Sequence, residues 1–255
     1  MAEAEGCMLA GLQNSSAGRD GQARGRDRCE QVRAGVKRGR GSGDPSTTRS
    51  TALSVDEIVE VGLRLGRRVG FETLSMRVLA RELNVSPMAT YRYVSNKQAL
   101  LALLIDAVLC DVEIPPDDGS WKERLRTLHT RNVDAFRDYP GLDQVTFDLP
   151  PTSQGWRLMD GYVQILLDAG FPEREAALAF SVIHSYGLGR ATMERKLAHG
   201  GERLNKLRDH PPLEALRQLD GHRERLQGPS RDFGMDLIIA GLGNMLEATG
   251  RSPKY

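Results

Sequence analysis

The chain has 255 residues, 40% of them hydrophobic, and 35 Lys and Arg against 34 Asp and Glu leave a formal net charge of +1. That length holds one large domain or two modest ones, and the hydrophobic share supports a real core. A near-neutral balance excludes a protein that grips polyanions by bulk charge, so any nucleic-acid surface has to be local. Cys7, Cys29 and Cys110 are odd in number and lack metal spacing, which fits free thiols in a reducing compartment. No run of about 18 apolar residues is present, so no membrane span is expected. With no hydrophobic signal core at the N-terminus either, the expected location is cytoplasmic.

Residues 1–52 are rich in Gly, Ser, Ala and Arg and poor in large apolar residues. Such a segment cannot bury enough surface to offset its ordering entropy and reads as a disordered basic tail. Within it, residues 32–43 carry Arg33, Lys37, Arg38 and Arg40 and no acid. Two readings stay open: an arm on DNA phosphate or in the minor groove, or an unselected extension from an early start codon.

Residues 53–112 read as a helical unit. Ser54 followed by Glu57 is a capping box, and Ile58, Val61, Leu65 and Val69 follow at helical spacing. Gly70 sits just past the end, where a positive φ is favoured. Gly62 and Gly66 lie inside this helix, where each weakens it by about 1 kcal/mol relative to Ala; their expected use is close approach of a neighbour. Residues 74–97, LSMRVLARELNVSPMATYRYVSNK, read as two short helices around a tight turn. Ser75 caps the first, which presents Val78, Leu79 and Leu83. Asn84-Val85-Ser86 makes the turn, and Ser86 caps the second helix with Pro87 at its first position, where a missing N–H costs nothing. The second helix is polar, aromatic and basic where a purely structural helix would be apolar, which is the pattern of a helix-turn-helix. Residues 75–97 hold Arg77, Arg81, Arg92 and Lys97 against the single acid Glu82. A further capping box at Ser95-Asn96-Lys97-Gln98 opens a long helix that Pro115-Pro116 is expected to end.

Leu74-Ser75-Met76-Arg77, Leu79-Ala80, Leu83, Val85-Ser86, Tyr91, Tyr93-Val94 and Asn96-Lys97 together resemble the N-terminal domain of the Tet-repressor (TetR) family of bacterial transcriptional regulators. The resemblance implies DNA contacts from Arg77, Ser86, Pro87, Met88, Ala89, Tyr91, Tyr93 and Lys97. Chemistry agrees with those roles. Arg77 can meet a phosphate or a guanine edge, the tyrosine hydroxyls suit phosphate oxygens, Lys97 adds charge at a helix N-terminus, and Met88 and Ala89 can meet thymine methyls. Arg92 is expected to be solvated. Two residues depart from the family pattern: Asn84 stands where Gly is usual, and tolerates a left-handed turn; Thr90 stands where Leu is usual, and is expected to soften the core beneath the second helix.

Residues 113–255 read as a larger helical domain, making the whole protein all-α. Ser120 caps a helix through Leu125, Leu128, Val133 and Phe136. A short apolar segment, residues 142–149, ends at Pro150-Pro151. Helices follow at about 153–169 and 173–198, a short one after His210-Pro211-Pro212, and a last one at about 231–248 capped by Ser230. The family resemblance implies that the 173–198 and 231–248 helices pair with their twins in a homodimer, with Gly234, Gly241 and Gly243 letting backbones approach. It also implies a ligand pocket, for which the candidates are His129, Phe136, Phe147, Trp156, Met159, Tyr162, His184 and Tyr186. Their apolar bulk with a few polar tips suits a small hydrophobic molecule. His199, His210 and His222 lie in polar segments and read as surface residues. No phosphate loop after a strand, nucleophile elbow or paired His/Cys metal spacing is found, so neither an enzyme nor a cofactor or metal is expected. The function expected is a repressor on a palindromic double-stranded operator, released by a small-molecule effector. The alternative is a DNA-binding regulator of the same fold controlled by a protein partner or by abundance.

Overall fold

The computed structural model describes residues 53–146, 148–199 and 230–248, and among these every regular element is a helix. The basic tail, Cys7, Cys29, Phe147, the helix expected after His210, and His210 and His222 lie outside the described residues. So does the side chain of His199. In chain order the helices are α1 (Val55–Val69), α2 (Met76–Glu82), α3 (Pro87–Tyr91), α4 (Lys97–Leu109), α5 (Trp121–Ala135), α6 (Leu142–Val145), α7 (Ser153–Asp168), α8 (Glu173–His199) and α9 (Ser230–Ala248).

α1 begins where Ser54 accepts a hydrogen bond from the Glu57 amide at 3.1 Å. Asp56 and Glu57 sit in its first turn and Arg67 and Arg68 in its last, each sign against the complementary end of the helix dipole. Its two internal glycines are contact points. A Cβ on Gly62 would stand 2.9 Å from Leu104 of α4, and one on Gly66 would stand 2.1–2.5 Å from the Phe71 ring. The bend after α1 passes through Gly70 at φ 85°. Ser75 and Ser86 accept the amides of Val78 and Ala89 and so start α2 and α3. Between them Asn84 takes φ 54°, as its tolerance of the left-handed region allows.

α4 departs from its sequence reading at both ends. Its cap is Asn96, which accepts from the Ala99 amide at 2.8 Å, not Ser95. It ends at Leu109, well short of the prolines. Pro115 marks a limit the helix does not reach, because Arg157 holds the last carbonyls in place instead: its guanidinium donates to Leu109 O at 3.0 Å and Val112 O at 2.9 Å. Cys110 is the C-cap.

α4 is the shared wall of the molecule. It packs against α1 on one side and against α5, α6 and α7 on the other. Leu100, Leu101, Leu104, Ile105, Val108 and Leu109 are all buried, and one continuous core runs from Ile58 in α1 to Leu246 in α9. Trp121 of α5 meets Phe171 edge-on at 5.7 Å. α8 lies against α5, α6, α7 and α9. Gly234 serves contact within the chain: a Cβ there would fall 2.3 Å from the Tyr186 hydroxyl of α8. Gly243 faces Lys122, and Gly241 faces open space. Leu178, Val182 and Met193 of α8 and Phe233, Leu237 and Met245 of α9 remain exposed.

Candidate DNA-binding surface and effector cavity

α3 is only five residues long, too short to be stable by itself, and its neighbours hold it. Thr90 is completely buried, and its hydroxyl donates to the Pro87 carbonyl at 2.7 Å. The hydroxyl that was expected to soften this core is therefore satisfied within the helix. Tyr93 and Val94 amides both donate to the Thr90 carbonyl, at 3.1 and 3.0 Å, which carries the tight turn past the helix end. With Thr90 and Val94 inward, the other side chains point out. Met88 is 74% exposed, Tyr91 45% and Tyr93 41%. Arg77, Ser86 and Pro87 are exposed and Ala89 is half-buried.

Charge around this surface is sorted by α1. The one acid of the segment, Glu82, receives two hydrogen bonds from Arg68, at 3.3 and 2.7 Å, and lies 3.8 Å from Arg64. The hydrogen bond from Arg68 holds the Glu82 carboxyl below its usual range. Arg77, Arg81 and Arg92 are left exposed. Lys97 stands at the N-terminus of α4, as read from the sequence. It is half-buried, and its ammonium donates to the Glu72 carbonyl.

The second site is a cavity of about 150 Å³ on the other side of α4. Five of the residues expected to line a pocket do so: His129, Phe136, Met159, Tyr162 and His184. Trp156 does not; it lies on an outer face of α7, 42% exposed. Tyr186 lies behind the wall, stacked on His129 at 5.9 Å. Sequence reasoning missed Ile105 and Leu109 of α4, Asn132 and Val133 of α5, Asp143 and Thr146 around α6, and Phe180 and Ile183 of α8. The periodicity of α4 marks Ile105 and Leu109 as buried, but nothing in it distinguishes a core neighbour from a cavity.

The polar groups of the cavity are mostly neutral. Burial, with a smaller contribution from the nearby His184, brings the His129 pKa down to about 4. Desolvation also lowers His184, which stacks on Phe180 at 5.6 Å. A neutral imidazole offers one donor and one acceptor. The Tyr162 hydroxyl, bonded to Asn132, is pushed above its usual range by burial. The carboxylate of Asp143 is buried and accepts the Gly141 amide at 3.2 Å. The arrangement can take an apolar, ring-bearing molecule and orient it with a few hydrogen bonds. Among the described residues no cluster of three His, Cys, Asp or Glu side chains is placed to hold a metal ion, and no helix is long and apolar enough to cross a membrane.

The floor of the cavity is fastened to the end of α4. The Gln154 amide, in the first turn of α7, donates to the Asp106 carboxylate at 2.8 Å, and Arg157, already bonded to the α4 terminus, also donates to Gln154 at 2.6 Å. Thr152, Gly155 and Leu158, at this end of α7, line the cavity.

A capped three-helix head with an outward second helix, built onto an all-helical body, defines a helix-turn-helix DNA-binding protein. The profile of bacterial regulatory proteins of the tetR family matches residues 58–104, and the tetracyclin repressor-like C-terminal domain matches residues 115–246. The chain belongs to the TetR family of bacterial transcriptional regulators. It is 32% identical over 190 residues to the HTH-type transcriptional repressor DrrR1 of Streptomyces coeruleorubidus, covering 67% of this chain and 70% of that protein. To the class C tetracycline repressor of Escherichia coli it is 28% identical over 207 residues, covering 76% and 92%. The crystal structure of ActR from Streptomyces coelicolor in complex with actinorhodin superposes with a TM-score of 0.62 at 28% identity, covering 75% of this chain and 97% of that one.

Proposed function

We propose that this protein is a homodimeric repressor that leaves a palindromic operator when a small ring-bearing molecule fills the cavity. One observation carries the reading: Ile105 and Leu109 of α4 line the cavity, while the same helix packs by Leu100 and Leu104 against α1 of the head. A molecule that displaces α4 displaces the reading surface. The relatives agree in kind, since ActR is known in complex with actinorhodin.

The DNA contacts are Arg77, Ser86, Pro87, Met88, Ala89, Tyr91, Tyr93 and Lys97. Lys97 reaches a phosphate by exchanging its carbonyl partner. The exposed apolar residues of α8 and α9 form the dimer face, which sets two α3 helices about 34–36 Å apart in successive major grooves. By linkage, the effector binds the DNA-free arrangement more tightly, since equal affinity for both arrangements would shift nothing. Working on chromosomal DNA, the protein acts in the cytoplasm.

The test starts with selection of bound genomic fragments, searched for an inverted repeat. Anisotropy of that duplex at fixed salt then follows titration with actinorhodin and with minocycline. Release by either, with a raised melting temperature of the free protein, is expected. An operator that responds to neither compound nor to a wider aromatic library, but does respond to a co-purifying protein, would replace this reading with control by a partner.

A further inference from the structure

α4 is one tie between head and body; Arg67 makes another. This residue, in the last turn of α1, reaches a loop 71 residues later. Its Nε donates to the Asp138 carbonyl at 3.0 Å, its Nη2 lies 3.6 Å from Asp138 Oδ2, and its guanidinium sits 4.4 Å from the centre of the Tyr139 ring. A hydrogen bond, a charge pair and a cation–π contact thus converge on two consecutive residues. The neighbouring Arg64 and Arg68 turn instead to Glu82 within the head.

The loop that receives Arg67 is also cavity wall. Phe136 and Asp143 both line the cavity and stand on either side of the gripped pair. Short backbone bonds make the connection stiff: the Tyr139 amide donates to Phe136 O at 2.8 Å, and the Leu142 amide to Tyr139 O at 3.0 Å. Gly141 turns the chain at φ 94° and donates to the Asp143 carboxylate. A displacement of Phe136 or Asp143 therefore moves the carbonyl and ring that hold Arg67.

We propose that Arg67, Asp138 and Tyr139 form a strut that carries cavity occupancy to the end of α1, in parallel with α4. Arg67 is then a positioning residue for the DNA-binding head. The strut rests on the reading of the cavity as the effector site and adds the route by which that site acts. Arg67 and Asp138 are solvent-exposed, and exposed ion pairs are individually weak. A weak contact suits this duty, because allosteric coupling typically spans about 5- to 150-fold in affinity and has to be reversible.

The test uses neither DNA nor effector, so it stands whether or not an inducer exists. Hydrogen exchange is read at the Gly70 amide, which closes α1 onto Gly66 O, in the full chain and in Val133→Phe, which fills the cavity beside Phe136. Filling the cavity is expected to change Gly70 exchange several-fold, and Arg67→Ala or Tyr139→Leu to reduce that response to the part that α4 carries, while Arg64→Ala leaves it whole. Because Val133→Phe can misfold, the same amide is read in the unaltered chain in benzene-saturated buffer, benzene being of a size that an apolar cavity of about 150 Å³ accepts. Gly70 exchange indifferent to both fillers, or a response undiminished in Arg67→Ala, overturns the strut.

Discussion

The head and the body of this protein use apolar residues differently. In the head most large apolar side chains have a partner within the chain: Ile58, Leu65, Phe71, Leu74 and Leu79 are all buried, Val69 at the end of α1 is exposed, and what α3 exposes is chiefly polar, aromatic or sulfur-bearing. In the body, α8 and α9 bury one face and leave Leu178, Val182, Phe233 and Leu237 in the open. A helix that is apolar beyond its core stripe needs a further partner. In the homodimer proposed above, the head is complete as a fold but dependent for its spacing, whereas the body brings an uncovered apolar face that sets that spacing.

The largest effect should come from breaking the body's unfinished face. Val182→Asp with Leu237→Asp is expected to convert the dimer to a monomer by light scattering and to remove measurable operator binding, with the helical circular dichroism of the chain retained. A monomer with undiminished operator affinity would mean the head needs no spacing at all.

Next in size is acid sensitivity, which belongs to the body. His129 has a folded pKa of about 4 against an ordinary value of 6.5. Between those values the unfolded chain binds the proton and the folded chain does not, so stability is fully present above about pH 7 and falls as pH drops toward 4. At about 1.4 kcal/mol per pH unit, the loss reaches up to about 3 kcal/mol, with His184 adding in the same direction. Urea midpoints at pH 7.5 and 5 should differ more in the parent than in His129→Phe, where the contribution of His184 remains.

Smallest is Arg77→Ala in the head. It should cost about 1–3 kcal/mol of operator affinity if the guanidinium reads a base, or lower the salt dependence by about one counterion if it meets a phosphate. Melting temperature should stay unchanged, because Arg77 is exposed. Anisotropy titrations at two salt concentrations separate the cases.

The same contrast governs how much the sequence discloses. Caps are local, and Ser54, Ser75, Ser86 and Ser120 each start the helix read for them. The error at α4 is also local: Ser95 and Asn96 are adjacent and both able to cap, and only the backbone register selects Asn96. The cavity is a different kind of object. Its walls come from five helices, and Trp156 and Met159, neighbours one turn apart on α7, have different fates: Met159 lines the cavity and Trp156 is exposed. Helical spacing places a residue on a stripe but does not say whether the stripe meets packing, solvent or a void. Gly234 shows the same limit, since a small residue suited to an intersubunit approach is occupied by Tyr186 of its own chain. The Arg67 contact, 71 residues long in sequence, leaves no local mark.

The burial pattern of α3 has an evolutionary consequence. Thr90 and Val94 carry the internal packing of this segment, and Ser86 and Pro87 start it. Met88, Ala89, Tyr91 and Tyr93 are left with little structural duty. If they read DNA as proposed, they behave like movable type in a fixed frame: a population can exchange these four letters and so acquire a new operator at little cost in stability. Regulatory rewiring by few substitutions is then built into the chemistry of one buried threonine.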